Sequence, residues 1–278
     1  MCELLTISSQ YPANMGFSLK RLASHSQNCE NDIFSNPDGW GVAYYDDKDV
    51  SLLREPQSAN DSELVRFIEN HIPATQLLIS HIRKATQGNR ALKNTQPFTR
   101  ELAGRMHVFA HNGNLPGIHK ETEFSLNHFH PIGETDSEHA FCYLLDKLKP
   151  LWLDYKYTLR APSIRRRFDV VSEFAERLRQ FGPANFVYSD SDVCFAHADK
   201  RIQEDCEIKP PGLHILSRLC DMKKSDANKH THGLNIHNTV KEQKILIVAS
   251  VPLTTDEKWQ AVTEGEVLVF SHGEIIKI

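Results

Sequence analysis

The sequence predicts an α+β layered protein. Three observations carry that: many short β-like runs, two strongly amphipathic helices, and no regular strand–helix–strand alternation. In chain order the β-like runs are Glu3-Ile7, Gly41-Tyr45, Gln76-His81, Met106-Ala110, Asn185-Ser189, Val193-Ala196, Lys244-Val251 and Val267-Phe270. Ser271-His272-Gly273 then turns the chain into Glu274-Ile278, a C-terminal hairpin. The first long helix starts at Thr135, which with Glu138 makes a T-x-x-E capping box, and is expected to end before Pro150. Its Phe141, Leu144, Leu145 and Leu148 fall on one face. The second spans about Ile164 to Phe181, with Phe168, Val171, Phe174, Leu178 and Phe181 at helical spacing and Gly182 as its stop. A shorter helix covers Ser62 to Asn70. No repeat, linker or low-complexity block interrupts the chain, which predicts a single domain over residues 1–278.

Bulk properties narrow the function classes. A chain of 278 residues can bury a large core without a disulfide or metal staple. Its net charge of −4 argues against a nucleic-acid partner. The one dense cationic run, Arg165-Arg166-Arg167, reads as a solvated helix face, with Glu173 and Glu176 downstream. No apolar stretch is long enough for a membrane helix, and no secretory signal is visible. Cys2, Cys29, Cys142, Cys194, Cys206 and Cys220 form no C-x-x-C pair, which suggests reduced thiols in a cytoplasmic protein. Fifteen histidines raise the question of a metal. Neither His128/His130 nor His230/His232/His237 has zinc-type spacing, so no metal or other cofactor is expected.

Four segments could do chemistry. Cys2 follows the initiator Met1, and its small side chain favours removal of that methionine. The residue then carries a thiol and a free α-amine whose ordinary pKa lies near 7.7–8.0, so nucleophile and base come from one residue. Ala110-His111-Asn112-Gly113-Asn114-Leu115 follows an apolar strand. The Asn112 side-chain amide and the Gly113 N–H could converge on an oxyanion; the same dipeptide also suits a plain hairpin turn. In Ser80-His81-Ile82-Arg83-Lys84-Ala85-Thr86-Gln87-Gly88, a strand-end Arg83 could fork onto a carboxylate. In Gly133-Glu134-Thr135-Asp136-Ser137-Glu138, Asp136 could hold an ammonium group while Thr135 caps the helix.

Taken in order, these segments resemble the class-II glutamine amidotransferases, members of the N-terminal nucleophile hydrolases. The matching motifs are Met1-Cys2, Asp38-Gly39-Trp40-Gly41, His81 to Gly88, His111-Asn112-Gly113 and Glu134 to Glu138. Val251-Pro252-Leu253-Thr254 and Trp259 resemble the small stand-alone members, which extends the likeness over the whole chain. The resemblance implies a four-layer α-β-β-α sandwich. It implies Cys2 as nucleophile with its own amine as base, and Asn112 and Gly113 as oxyanion donors. Arg83, assisted by Thr86, would bind the substrate α-carboxylate, and Asp136 the α-ammonium. Lys84 and Gln87 stand where many members have Trp and His, and Asn36-Pro37 where many have Arg-Gly, so the pocket wall differs.

The function this implies is hydrolysis of a γ-glutamyl amide through a Cys2 thioester, giving glutamate and ammonia. Neither a G-x-x-x-x-G-K-[ST] nor an S-G-G-x-D-S loop is present to supply a synthase. An unidentified partner protein would therefore receive the ammonia, or the substrate would be glutathione or another γ-glutamyl compound. A different class of reading is a non-catalytic glutamine-sensing module, which predicts retained Met1.

Overall fold

The computed structural model describes residues 2–24, 38–71, 73–84, 88–156, 158, 160–203, 205–221, 234–238 and 242–278. Its strands are β1 (Glu3–Phe17), β2 (Gly39–Asp46), β3 (Asp49–Glu55), β4 (Ala74–Arg83), β5 (Phe98–Leu102), β6 (Arg105–Gly113), β7 (Ala184–Ser189) and β8 (Cys194–His197), followed by β9 (Arg201–Ile202), β10 (Ile208–Lys209), β11 (His214–Asp221), β12 (Leu234–Asn238), β13 (Glu242–Ala249), β14 (Gln260–Ala261), β15 (Val267–Ser271) and β16 (Glu274–Ile275). The helices are α1 (Leu19–Ser24), α2 (Glu63–Asn70), α3 (Asp136–Leu153) and α4 (Ile164–Leu178). Among the described residues one antiparallel sheet runs β14-β11-β13-β1-β4-β2-β3, with β12 also on β1, and a second runs β16-β15-β8-β7-β6-β5.

Side-chain alternation assembles these into four layers. Successive strand residues point to opposite faces. In β1, Leu5 and Ile7 pack outward against Leu22 of α1 and Val65 and Ile68 of α2. Leu4 points inward, onto Val108 and Ala110 of β6 and Val187 of β7. In β6 the neighbouring Phe109 turns to the other face, against Phe141 and Leu144 of α3 and Phe174 of α4. The order is therefore helices, sheet, sheet, helices, as expected for the α-β-β-α sandwich. Cys2 and Arg83 share the parity of the inward-facing Leu4 and Ile79, so both lie at one end of the gap between the sheets.

The helix starts match their sequence signals. Ser62 accepts from Val65 N at 3.0 Å and Thr135 from Glu138 N at 3.2 Å. Each such cap contributes about 1 kcal/mol.

Three local expectations are corrected. The first helix does not stop before Pro150 but runs to Leu153. Proline removes one backbone bond, and in the last turn that loss is offset by packing: Trp152 is buried with the Arg105 and Arg167 guanidinium groups against its ring, at 5.7 and 5.5 Å. Arg167 is not on a solvated face. It is buried on the Val171 and Leu178 stripe of α4 and pairs with Asp190 at 2.7 Å and Asp192 at 2.6 Å. Arg165 stays exposed, so the run Arg165-Arg166-Arg167 mixes two environments because a helix turns about 100° per residue. Finally, the thiols are not all reduced: Cys206 is disulfide-bonded, whereas Cys2, Cys142 and Cys194 are free.

Among the described residues no group of three His, Cys, Asp or Glu side chains could hold a metal. His128 instead pairs with Asp146 at 3.2 Å. His230 and His232 lie outside the described residues, as do Cys29, Asn36-Pro37, Thr86 and Gln87. No described helix is long and apolar enough to cross a membrane.

Candidate active site

Cys2 opens β1, where its thiol sits on the backbone that continues β4. Sγ donates to Lys84 O at 3.3 Å and accepts from Lys84 N at 3.2 Å. Burial pushes the thiol above its ordinary pKa, while the Lys84 hydrogen bond and the Arg83 charge pull the other way. The net result is a protonated thiol at neutral pH. A base is needed to make it a nucleophile.

Asn112 reaches this residue from the opposite sheet. Its Nδ2 donates to Cys2 O at 2.6 Å and makes a longer contact, 3.4 Å, to Ser250 Oγ. The direction of the Gly113 N–H follows from ladder alternation. Asn114 N donates to Pro183 O across the β6–β7 edge, so the odd residues of β6 face the other way. At His111 that other side is taken by Gln96, whose Oε1 accepts from His111 N at 2.6 Å and whose Nε2 donates to His111 O at 3.1 Å. One step on, the Gly113 N–H points past the end of the β5 pairing. A Cβ on Gly113 would lie 1.8 Å from Pro183 O, so only glycine lets the two chains pass this closely.

Two charged side chains flank the strand ends. Arg83, at the end of β4, is buried and donates to Gly88 O at 3.0 Å. Burial lowers its pKa, opposed by its electrostatic interactions with Cys2 and Asp38, and an arginine so placed remains cationic. Asp136, the first residue of α3, is also buried. Its Oδ2 accepts from Leu115 N at 2.6 Å and its Oδ1 from Ser137 N at 2.7 Å. The carboxylate thus ties the turn after β6 to the helix start, and a carboxylate oxygen has a further lone pair for a ligand. Its charge also acts on His111, whose Nδ1 lies 2.9 Å from Ser137 Oγ.

Several residues at this site carry no motif in the sequence. Asn94 is fully buried and joins the segment after β4 to the residues before α3: Nδ2 donates to Asn89 O at 2.9 Å and Glu134 Oε2 at 2.7 Å, and Oδ1 accepts from Glu134 N at 2.9 Å. Asn185, opposite Asn112 on β7, donates to Asn112 O at 3.2 Å and fixes the strand that carries it. Ser250 accepts from Leu4 N at 2.8 Å. Beside it, the buried Glu3 pairs with Arg201 at 2.8 Å. Only Asn94 had a usable signal, since it lies in the polar run Lys93-Asn94-Thr95-Gln96 that closes on Pro97 just before β5.

The structure therefore brings Cys2, Asn112 and Gly113 to one end of the inter-sheet gap, with Arg83 adjoining through Lys84. Asp136, at the helix start, is tied to the turn two residues beyond Gly113, with both oxygens engaged by the backbone N–H groups of Leu115 and Ser137. Thr86 lies outside the described residues.

Comparisons with known proteins point the same way as the fold. The sequence profile of the class-II glutamine amidotransferases matches residues 1–278. The glutamine amidotransferase-type protein YafJ of Escherichia coli K12 is 32% identical over 274 residues, covering 99% of each chain. MJ1515 of Methanocaldococcus jannaschii is 31% identical over 278 residues, 99% of this chain and 71% of that one. Among solved structures, a glutamine amidotransferase of Pseudomonas aeruginosa PA01, assigned as such by prediction, superposes with a TM-score of 0.65 at 27% identity over the full length of both chains. The glutamine phosphoribosylpyrophosphate amidotransferase of Bacillus subtilis shares the fold, with a TM-score of 0.58 at 15% identity over 99% of this chain and 48% of that one.

Proposed function

The chain belongs to the class-II glutamine amidotransferases, and from that premise we propose that it hydrolyses a γ-glutamyl amide through a thioester on Cys2. The observation that carries this reading is the 2.6 Å hydrogen bond from Asn112 Nδ2 to the Cys2 carbonyl, which brings a side-chain amide from a different sheet to the residue that bears the thiol.

Removal of Met1 turns the Cys2 nitrogen into an α-amine. That amine takes the thiol proton as Sγ attacks the γ-carbonyl carbon of the substrate. The carbonyl oxygen becomes an oxyanion, which the second Asn112 Nδ2 hydrogen and the Gly113 N–H stabilise. Collapse breaks the C–N bond, and the α-ammonium returns its proton to the departing nitrogen. Water then gives a proton to the same amine and attacks the thioester, releasing glutamate and restoring the thiol. Arg83 holds the α-carboxylate and Asp136 the α-ammonium, so the substrate's γ-carbonyl is aimed at Sγ. Thr86 assists Arg83. With glutamine the leaving group is ammonia, passed to an acceptor protein or released; with a γ-glutamyl compound it is an amine.

The test is glutamate release by processed protein from glutamine and from a panel of γ-glutamyl peptides, with intact mass establishing loss of Met1. Turnover abolished by Cys2→Ala, with substrate binding kept, is the expected result. Activity in Cys2→Ala near that of the parent sinks the mechanism. Native protein that retains Met1, and binds glutamine without cleaving it, would instead make this a sensor.

A further inference from the structure

The strand that carries Cys2 places a carboxylate at the next position. Glu3 is completely buried, and its Oε1 accepts from Arg201 Nη2 at 2.8 Å. Other residues on the same face of β1, Leu5 and Ile7, are apolar core. A buried ion pair gains little stability over apolar residues of the same volume. Stability alone therefore does not account for a carboxylate one residue from the nucleophile.

The pair is also wired to the oxyanion donor. Arg201 Nη1 donates to Ser250 O at 2.7 Å. The Ser250 hydroxyl accepts from Leu4 N at 2.8 Å and lies 3.4 Å from Asn112 Nδ2. One serine thus links the nucleophile strand, the Glu3–Arg201 pair and the donor amide.

We propose that Glu3 is a positioning residue for the reaction: its buried charge raises the basicity of the Cys2 α-amine, and through Arg201 and Ser250 it fixes the aim of the Asn112 amide. This rests on the reading of the Cys2 amine as the base. A carboxylate one residue away favours the protonated amine. The other titratable or charged groups around it are the Cys2 thiol itself, Arg83 from β4, Arg201 from β9 on Glu3, His214 from β11, whose Nδ1 lies 3.3 Å from Ser250 O, and Asp38, whose charge acts on Arg83. Both arginines favour the neutral amine, and so does a protonated His214; Asp38 acts on Arg83, and Glu3 is the buried carboxylate next to Cys2 when the thiol is protonated. Burial pushes the Glu3 carboxyl up to about 7, against the pull of Arg201 and Ser250. Its charge therefore changes in the pH range in which an α-amine works.

The experiment compares pH profiles of glutamate release for processed wild type, Glu3→Gln, Ser250→Ala and Cys2→Ala. Glu3→Gln keeps the shape and loses the charge, so the acid limb of kcat/KM is expected to move down by about one pH unit. Ser250→Ala is expected to leave that limb in place and lower kcat about tenfold by loosening Asn112. An unmoved limb in Glu3→Gln, with Cys2→Ala inactive, overturns this inference and leaves the amidohydrolase reading standing. Activity in Cys2→Ala overturns the parent reading instead. Should Glu3→Gln fail to fold, the wild-type protein labelled with 13C-glutamate decides. The Glu3 carboxyl signal should inflect at the pH of the acid limb, and a signal with no inflection there refutes the coupling.

Discussion

Asn112 and Cys2 meet across the gap between two sheets that share no strand, the Asn112 amide donating to the Cys2 carbonyl at 2.6 Å. One of its two N–H bonds is fixed by that contact, while the other has only the long 3.4 Å approach to Ser250. A developing oxyanion can take the second bond without disturbing the first. Asn112→Ala is therefore expected to lower kcat by about 100–1,000-fold with a much smaller change in KM. Single-turnover kinetics on the processed protein would check it, and a loss confined to KM would remove Asn112 from the oxyanion site.

Asp136 combines a proposed ligand role with a structural one. Asp136→Asn keeps the side chain's size but loses the charge that draws Leu115 N and Ser137 N. It should cost about 1–3 kcal/mol of stability and at least about tenfold in glutamine KM. Glutaramic acid, which lacks the α-ammonium, separates the two roles. Wild type and variant should handle it equally poorly, and a variant that loses as much on glutaramic acid as on glutamine would leave Asp136 purely structural.

Gly113 is fixed by contact rather than by turn geometry. A methyl group there would lie 1.8 Å from Pro183 O and 2.8 Å from His111 Nε2. Gly113→Ala must push β6 and β7 apart at the end that carries Asn112. The expected outcome is a drop in kcat of about 100-fold or more together with a lowered Tm. Wild-type kcat in Gly113→Ala would show that the N–H is not used.

Three buried histidines set an acid limit on stability. Burial pushes His81 and His107 down to about 3 and His197 to about 4. Their folded-state values lie below the unfolded 6.5, so the stability they contribute is present above 6.5 and is lost as pH falls toward 4 and 3. Each histidine removes about 1.4 kcal/mol per pH unit below about 6. Glu3 works in the opposite sense, since its value is raised to about 7 and its contribution is lost as pH rises through that value. Chemical denaturation at about pH 7 and about pH 5 should show the decline, and imidazole NMR should show these three rings neutral at the lower pH. Ordinary midpoints near about 6.5 for all three would contradict their burial.

How far the sequence reaches can be judged residue by residue. Thr135 and Ser62 announced their helices because a cap is a local arrangement between one side chain and an N–H three residues on. The strands that carry Cys2, Asn112 and Arg83 were legible from apolar runs ending in polar motifs. The shorter or more polar β3, β5, β11 and β12 were not. The length of β1 was missed as well: it runs to Phe17 because β4 and β12 pair with its second half across a bulge.

By itself the sequence determined the chemical kit and its order: a thiol at position 2, an amide-glycine pair, an arginine, a carboxylate at a helix start, and a family whose profile spans residues 1–278. Tertiary structure alone decided which groups face one another. Glu3 finds Arg201 across 198 residues, and Asn112 finds Cys2 across 110. It likewise buried Arg167 against Asp190 and closed Asn94 onto Glu134. Periodicity states which face of an element is apolar, but the partner of a buried charge is set by packing between distant segments, and no local pattern encodes that.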